Sequence, residues 1–177
     1  MTDSIALGPD GYVNHTLAVL RGGTSSGDLT QSVEFMPGVQ MHADPEMNMA
    51  GRYDSPNGRM LELQARPERD GAWNGLHLAF PASDLGPHGA LGFVMRASAA
   101  EQHVIRACIR SGTEDGFQDC FFDKHILLRA EESSHVDALA VHQRTDLPLH
   151  APWRELILFL PATAFTMSIH DFRVFLV

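Results

Sequence analysis

The sequence predicts an all-β fold, an antiparallel β-sandwich of about ten strands in a single domain, and three observations carry that expectation. Between Leu91 and Phe122, three short runs (LGFVMRA, HVIRACIR and FQDCFF) alternate apolar with polar side chains. Strand side chains point to opposite faces in turn, so Ile105, Ala107 and Ile109 fall on one side of such a strand while Arg106, Cys108 and Arg110 fall on the other. Further runs of this kind recur along the chain at the short spacing typical of sandwiches and barrels. Helical patterning is scarce. At 177 residues with 44% hydrophobic side chains, one core is affordable and one domain is expected over 1–177.

In chain order, the N-terminal MTDSIALGPDGYVNH has an early acid and no basic segment leading into an apolar run, so it does not read as a secretory leader. With no membrane-length apolar stretch either, a cytoplasmic location without membrane partners is expected. Residues 21–32 (RGGTSSGDLTQS) read as an exposed loop; RGGTSSGD is similar to the RGGTSKG stretch of isomerases related to diaminopimelate epimerase, with Ser26 where those have lysine. VEFM is a strand candidate. Residues 37–59, with Pro37, Pro45 and Pro56, read as a long irregular connection. Within it, HADPE places His42, Asp44 and Glu46 at alternate positions, a set that can ligate a hard cation but reads as a polar surface loop. No metal or cofactor is expected.

MLELQA sets Leu61 and Leu63 against Glu62 and Gln64, and GLHLAF sets Leu76, Leu78 and Phe80 against His77. The intervening RPERDGAWN carries the proline and Asp-Gly punctuation of a hairpin. Residues 98–107 (SAAEQHVIRA) have the alanine and glutamate of a helical turn. SGTEDG reads as a hairpin with a three-residue loop, Thr113 to Asp115, with Glu114 and Asp115 as turn residues. That register opposes Arg110 to Gln118 and Cys108 to Cys120, a pair expected to stay reduced. HILLRA and VDALAVH follow. RELILFLP is apolar throughout Leu156 to Leu160, as in a central strand buried on both faces. FTMSI and DFRVFLV close the count at eleven candidates. An apolar terminal strand must pair, either within the chain or with a second copy, so a homodimer through it is a second possibility.

The net charge of −9 argues against a nucleic-acid partner, whose phosphates need clustered cations. Lys124 is the only lysine, leaving arginine as the cation, and a guanidinium fork suits bidentate recognition.

The succession WRELILFLP, FTMSI, DFRVFLV resembles the end of jelly-roll domains of the galactose-binding-domain-like type, which include many carbohydrate-binding modules. The resemblance spans roughly residues 60–177. It implies a jelly-roll sandwich whose ligands are sugars, held on a sheet face or in loops at one end.

Candidate ligand-binding residues follow from the residues themselves. Arg96, Arg106, Arg110 and Gln118 share a parity on neighbouring strands and can hydrogen-bond hydroxyls or grip a carboxylate. Trp73 in the polar RDGAWNG loop offers an exposed aromatic surface, whereas Trp153, just before a buried strand, is expected to pack. Arg52 and Tyr53 form a second loop candidate. The expected function is non-catalytic binding of a carbohydrate or another polar small molecule. Two alternatives stand beside it: a protein-interaction module without a small ligand, and an enzyme acting on a sugar or nucleotide-sugar beneath a lid built from residues 37–59.

Overall fold

A computed structural model describes residues 8–177, and the reading of the first seven residues lies outside them. The chain begins with α1 (Pro9–Gly22), followed by β1 (Ser25–Asp28), β2 (Ser32–Met36), β3 (Val39–Ala43), β4 (Gly51–Ser55) and β5 (Leu61–Ala65). Then come β6 (Asn74–Ala79), β7 (Ala90–Ala99), β8 (His103–Thr113), β9 (Gly116–Phe121) and β10 (Ile126–Leu128). The last strands are β11 (Ser133–Ala140), β12 (Arg154–Phe159) and β13 (Phe165–Leu176).

They form two antiparallel sheets packed face to face, the expected sandwich of jelly-roll type. One sheet has the order β1-β4-β5-β13-β7-β11 and the other β10-β8-β12-β6-β3-β2, with β9 also paired to β8. The core between them holds Phe93 and Phe172, stacked with ring centroids 5.2 Å apart, and Phe122, edge-on to Phe93 at 4.8 Å. As expected for RELILFLP, β12 is central, between β8 and β6, and Leu156, Ile157 and Leu158 are completely buried.

Several expectations are corrected. The N-terminal segment forms a helix: Pro9 pre-sets the first turn, Asp10 faces the helix's positive end, and Val13, Leu17 and Leu20 recur on one buried face. The loop assigned to 21–32 contains β1, and the irregular stretch 37–59 contains β3 and β4, because ladder pairing of β1 with β4, β3 with β2 and β6, and β4 with β5 orders segments whose local composition favours turns. Residues 98–107 make no helical turn; Ala99 ends β7 and His103 opens β8, held by β13 and β10. RPERDGAWN is not a hairpin but a crossing between sheets, since β5 pairs with β4 and β13 while β6 pairs with β12 and β3. FTMSI and DFRVFLV are one strand, β13, whose register shifts between Ile169 and Asp171. This bulge inserts His170. β13 pairs within the chain, with β5 on one side and β7 on the other.

The hairpin between β8 and β9 is tighter than predicted. Thr113 pairs with Gly116, leaving the two-residue loop Glu114 and Asp115, and Gly116 takes a φ of 143°, which glycine adopts freely. One residue fewer in the loop moves the whole register by one, so Arg110 opposes Asp119 and Ile109 opposes Cys120. Cys108 and Cys120 are therefore not a cross-strand pair. Both are buried free thiols; burial pushes the Cys108 thiol well up and the Cys120 thiol to about 12.

Candidate functional site

The face of the second sheet turned away from the core is laid out by the ladder registers. One row across it reads Arg106, Phe159, Gly75 and His42. The next reads Phe121, Cys108, Ile157, His77 and Gln40, and the one after it Asp119, Arg110, Glu155 and Ala79. A groove of about 650 Å³ crosses this face, lined by His42, Trp73, Gly75, His77, Arg110, Phe117, Asp119, Phe121 and Phe159. Five strands contribute to it.

Small groups keep the middle low. Gly75 has no side chain where a Cβ would sit 3.2 Å from Ile157 Cγ2 and 2.9 Å from His77 Nε2. Cys108 and Ile157 lie fully covered on the same face. Around them stand aromatic rings. Trp73 is 41% and Phe117 56% exposed, and Phe121 and Phe159 are stacked at 5.6 Å. Such surfaces suit a flat, amphipathic ligand.

Polar groups between the rings are fixed by hydrogen bonds. Arg110 grips Asp119 through Nε and Nη2, both at 2.7 Å, and its guanidinium carbon lies 3.8 Å from the centre of the Phe117 ring. This bidentate bond raises the pKa of Arg110. His77 Nδ1 lies 2.9 Å from Glu155 Oε2, and that hydrogen bond holds the Glu155 carboxyl below the usual range. His42 meets Ser32 Oγ through Nδ1 at 3.1 Å and Gln40 Oε1 through Nε2 at 3.0 Å, with its ring edge-on to His77 at 5.0 Å. Burial, then the neighbouring His77, lowers the His42 pKa. The groove thus offers both acceptors and donors without an unpaired buried charge.

Of the residues singled out from sequence, Trp73 and Arg110 line this groove, and Arg106 sits on the same face with its guanidinium carbon 4.0 Å above the Phe121 ring. The others are placed elsewhere. Arg96 is on β7, in the opposite sheet, where its Nε lies 3.1 Å from Glu132. Gln118 shares the parity of Cys120 and so lies on the reverse side of β9 from Arg110, opposite Ser111. Arg52 and Tyr53 belong to β4 of the opposite sheet, with the Tyr53 ring packed edge-on against Phe35 at 4.8 Å. Asp44 caps a short helical turn, its two carboxylate oxygens accepting from the Glu46 and Ala72 amides at 3.0 and 2.8 Å. Trp153 is 42% exposed rather than packed away; its indole lies against Gly112, on the row beside Phe117.

Sequence reading missed His42, His77, Phe117, Asp119, Phe121 and Phe159. For the three β9 residues the signal was loop length: a two-residue loop puts them, not Gln118, on the arginine face. His77 was legible by parity as the polar side of GLHLAF, and Phe159 lay hidden in a continuous apolar run.

Structural likeness places this geometry among known folds. The CBM22-1 xylan-binding domain from Paenibacillus barcinonensis superposes with a TM-score of 0.55 at 12% identity, over 89% of this chain and 90% of that one. The fold is that of the carbohydrate-binding modules. The N-terminal cellulose-binding domain of β-1,4-glucanase C from Cellulomonas fimi matches at TM-score 0.53 and 15% identity, covering 72% of this chain and 84% of its own. The family 30 carbohydrate-binding module of a cellulosomal cellulase of Clostridium thermocellum matches at TM-score 0.51 and 10% identity, covering 88% and 91%. No protein-family model and no curated protein sequence matches the chain. Among the described residues, no helix is long and apolar enough to cross a membrane.

Proposed function

We propose that the chain is a non-catalytic carbohydrate-binding domain and that the groove on the β9-β8-β12-β6-β3 face holds the sugar chain. The observation that carries this reading is the interleaving, on one sheet face, of the exposed rings Trp73 and Phe117 and the stacked pair Phe121 and Phe159 with the fixed polar groups His42, His77, Arg110 and Asp119. Sugar rings have apolar C–H faces and polar rims, so aromatic platforms supply contact area while preset hydrogen-bond partners supply orientation. The module-like fold supports the reading without deciding it. Its location is taken to be cytoplasmic, which suits two unbridged cysteines.

Titration calorimetry against neutral and acidic polysaccharides, preceded by a glycan-array screen, tests the function. Binding that is weakened in Trp73→Ala and Phe117→Ala supports it. A folded protein that binds no glycan overturns it and favours a protein-interaction module instead.

A further inference from the structure

Two arginines four residues apart on β8 each set the guanidinium carbon over a phenylalanine ring of β9: Arg110 over Phe117 at 3.8 Å and Arg106 over Phe121 at 4.0 Å, measured to the ring centres. The two stacks differ in one respect. The edge of Arg110 is filled by the carboxylate directly opposite it across the ladder, Asp119, through two bonds of 2.7 Å. Extending the same register by two places would set Asp123 opposite Arg106. The ladder stops at Phe121, however, and the Asp123 carboxylate instead accepts from Arg144 Nη1 at 2.7 Å. Arg144 is itself anchored by Asp146 and the Phe121 carbonyl. Arg106 is therefore exposed and has no hydrogen bond or ion pair among the described residues.

We propose that Arg106 recognises a carboxylate on the bound sugar, so that the groove selects glycans carrying uronic acid or another carboxylated unit. This rests on the reading of the groove as a glycan site. The Phe121 ring lies against the guanidinium and steadies it by a cation–π contact, leaving its N–H donors open. A planar fork held in this way matches a carboxylate bidentately, as Arg110 and Asp119 demonstrate four residues away. Phe121 also lines the groove and stacks on Phe159, so a sugar lying over these rings brings its substituents to the Arg106 edge. The other charged side chains on this sheet face are already engaged, Arg110 with Asp119 and Glu155 with His77. The ligand's carboxylate takes the place beside Arg106 that Asp123, held by Arg144, leaves empty.

The test pairs each acidic polymer (polygalacturonate, alginate and glucuronoxylan) with its own carboxyl-reduced form, which keeps the chain and removes the charge. Calorimetry on wild type, Arg106→Gln and Arg106→Lys is run alongside neutral glycans and melting curves of each variant. At least one acidic polymer is expected to bind on the order of tenfold more tightly than its reduced form. That preference shrinks with added salt, disappears in Arg106→Gln and is largely lost in Arg106→Lys, which keeps the charge without the fork. Equal affinity for reduced and unreduced forms, or a preference that survives in folded Arg106→Gln, overturns the inference while the glycan reading stands. Binding to neither acidic nor neutral glycans overturns both.

Discussion

Asn14 of the helix and Val174 of the C-terminal strand exchange two hydrogen bonds. The Asn14 Nδ2 donates to the Val174 carbonyl at 2.7 Å, and the Val174 amide donates to Asn14 Oδ1 at 2.9 Å. β5 accompanies β13 only as far as Ile169, so beyond that point one side of the strand would lack ladder partners. A single side-chain amide, with its donor and acceptor side by side, substitutes there for a strand. Replacing Asn14 with leucine leaves both groups of the buried Val174 unpaired and is expected to cost about 2–3 kcal/mol in urea denaturation. A loss no larger than that of an exposed helix substitution would show that the helix does not hold the strand.

Arg154 is a second point of dependence. It is 2% exposed, donating to the carbonyls of Ala82, Pro148 and Leu149 at 2.7, 2.6 and 3.0 Å and to the Ser111 hydroxyl. Four partners in three separate segments share one guanidinium. Arg154→Met strands several buried acceptors and is expected to cost about 3 kcal/mol or more. Arg154→Lys recovers little of this, because an ammonium lacks the planar fork. A melting temperature for Arg154→Lys close to wild type would contradict that account.

Gly112 bears on the site from beneath Trp153. A side chain at position 112 would run into the indole, which must then swing away. Gly112→Val is expected to weaken glycan binding while leaving the secondary structure intact by circular dichroism. Unaltered affinity would remove Trp153 from the ligand's path.

Three histidines are held below their ordinary pKa by burial: His42, His135 and His170. For His170 the facing charges partly oppose one another, Glu132 and Glu62 favouring the proton and Arg59 and Arg96 disfavouring it. For His135 they are Asp137 and Lys124, and for His42 they are His77 and Glu155. Because the unfolded chain binds these protons more readily, their contribution is fully present above about pH 6.5 and is lost as pH falls through the lower folded values. The depressed Glu155 acts in the same direction at still lower pH. Melting temperatures are expected to fall on going from about pH 7.5 to about pH 5, and His170→Gln is expected to flatten the slope. A flat wild-type profile would contradict this.

Much of the fold was legible because its signals are local. Alternation along β8 separates Ile105, Ala107 and Ile109 from the arginines correctly, and the continuous apolar run of β12 marks a central strand. What was not legible depends on which strands meet. Parity groups Arg96 with Arg106 along the chain, but successive strands of a sandwich can belong to different sheets, and β7 and β8 do. Gln118 and Asp119 exchange roles through one residue of loop length. β3 and β4 lie in a segment punctuated by glycine and proline, where the turn residues mask strands that pair both with their chain neighbours, β2 and β5, and with β6 and β1. The helix, by contrast, carried readable signals in Pro9 and the Val13, Leu17, Leu20 spacing, overlooked beside so much β pattern.

The chain has two tryptophans, and both stand on the groove's sheet face, Trp73 on the groove lining and Trp153 over Gly112 beside Phe117. The core itself is built from aliphatic side chains, methionine and phenylalanine, without an indole. Intrinsic tryptophan emission from the native protein therefore originates wholly at the proposed ligand surface, giving an unlabelled optical readout of occupancy in which the single-tryptophan variants report each end separately.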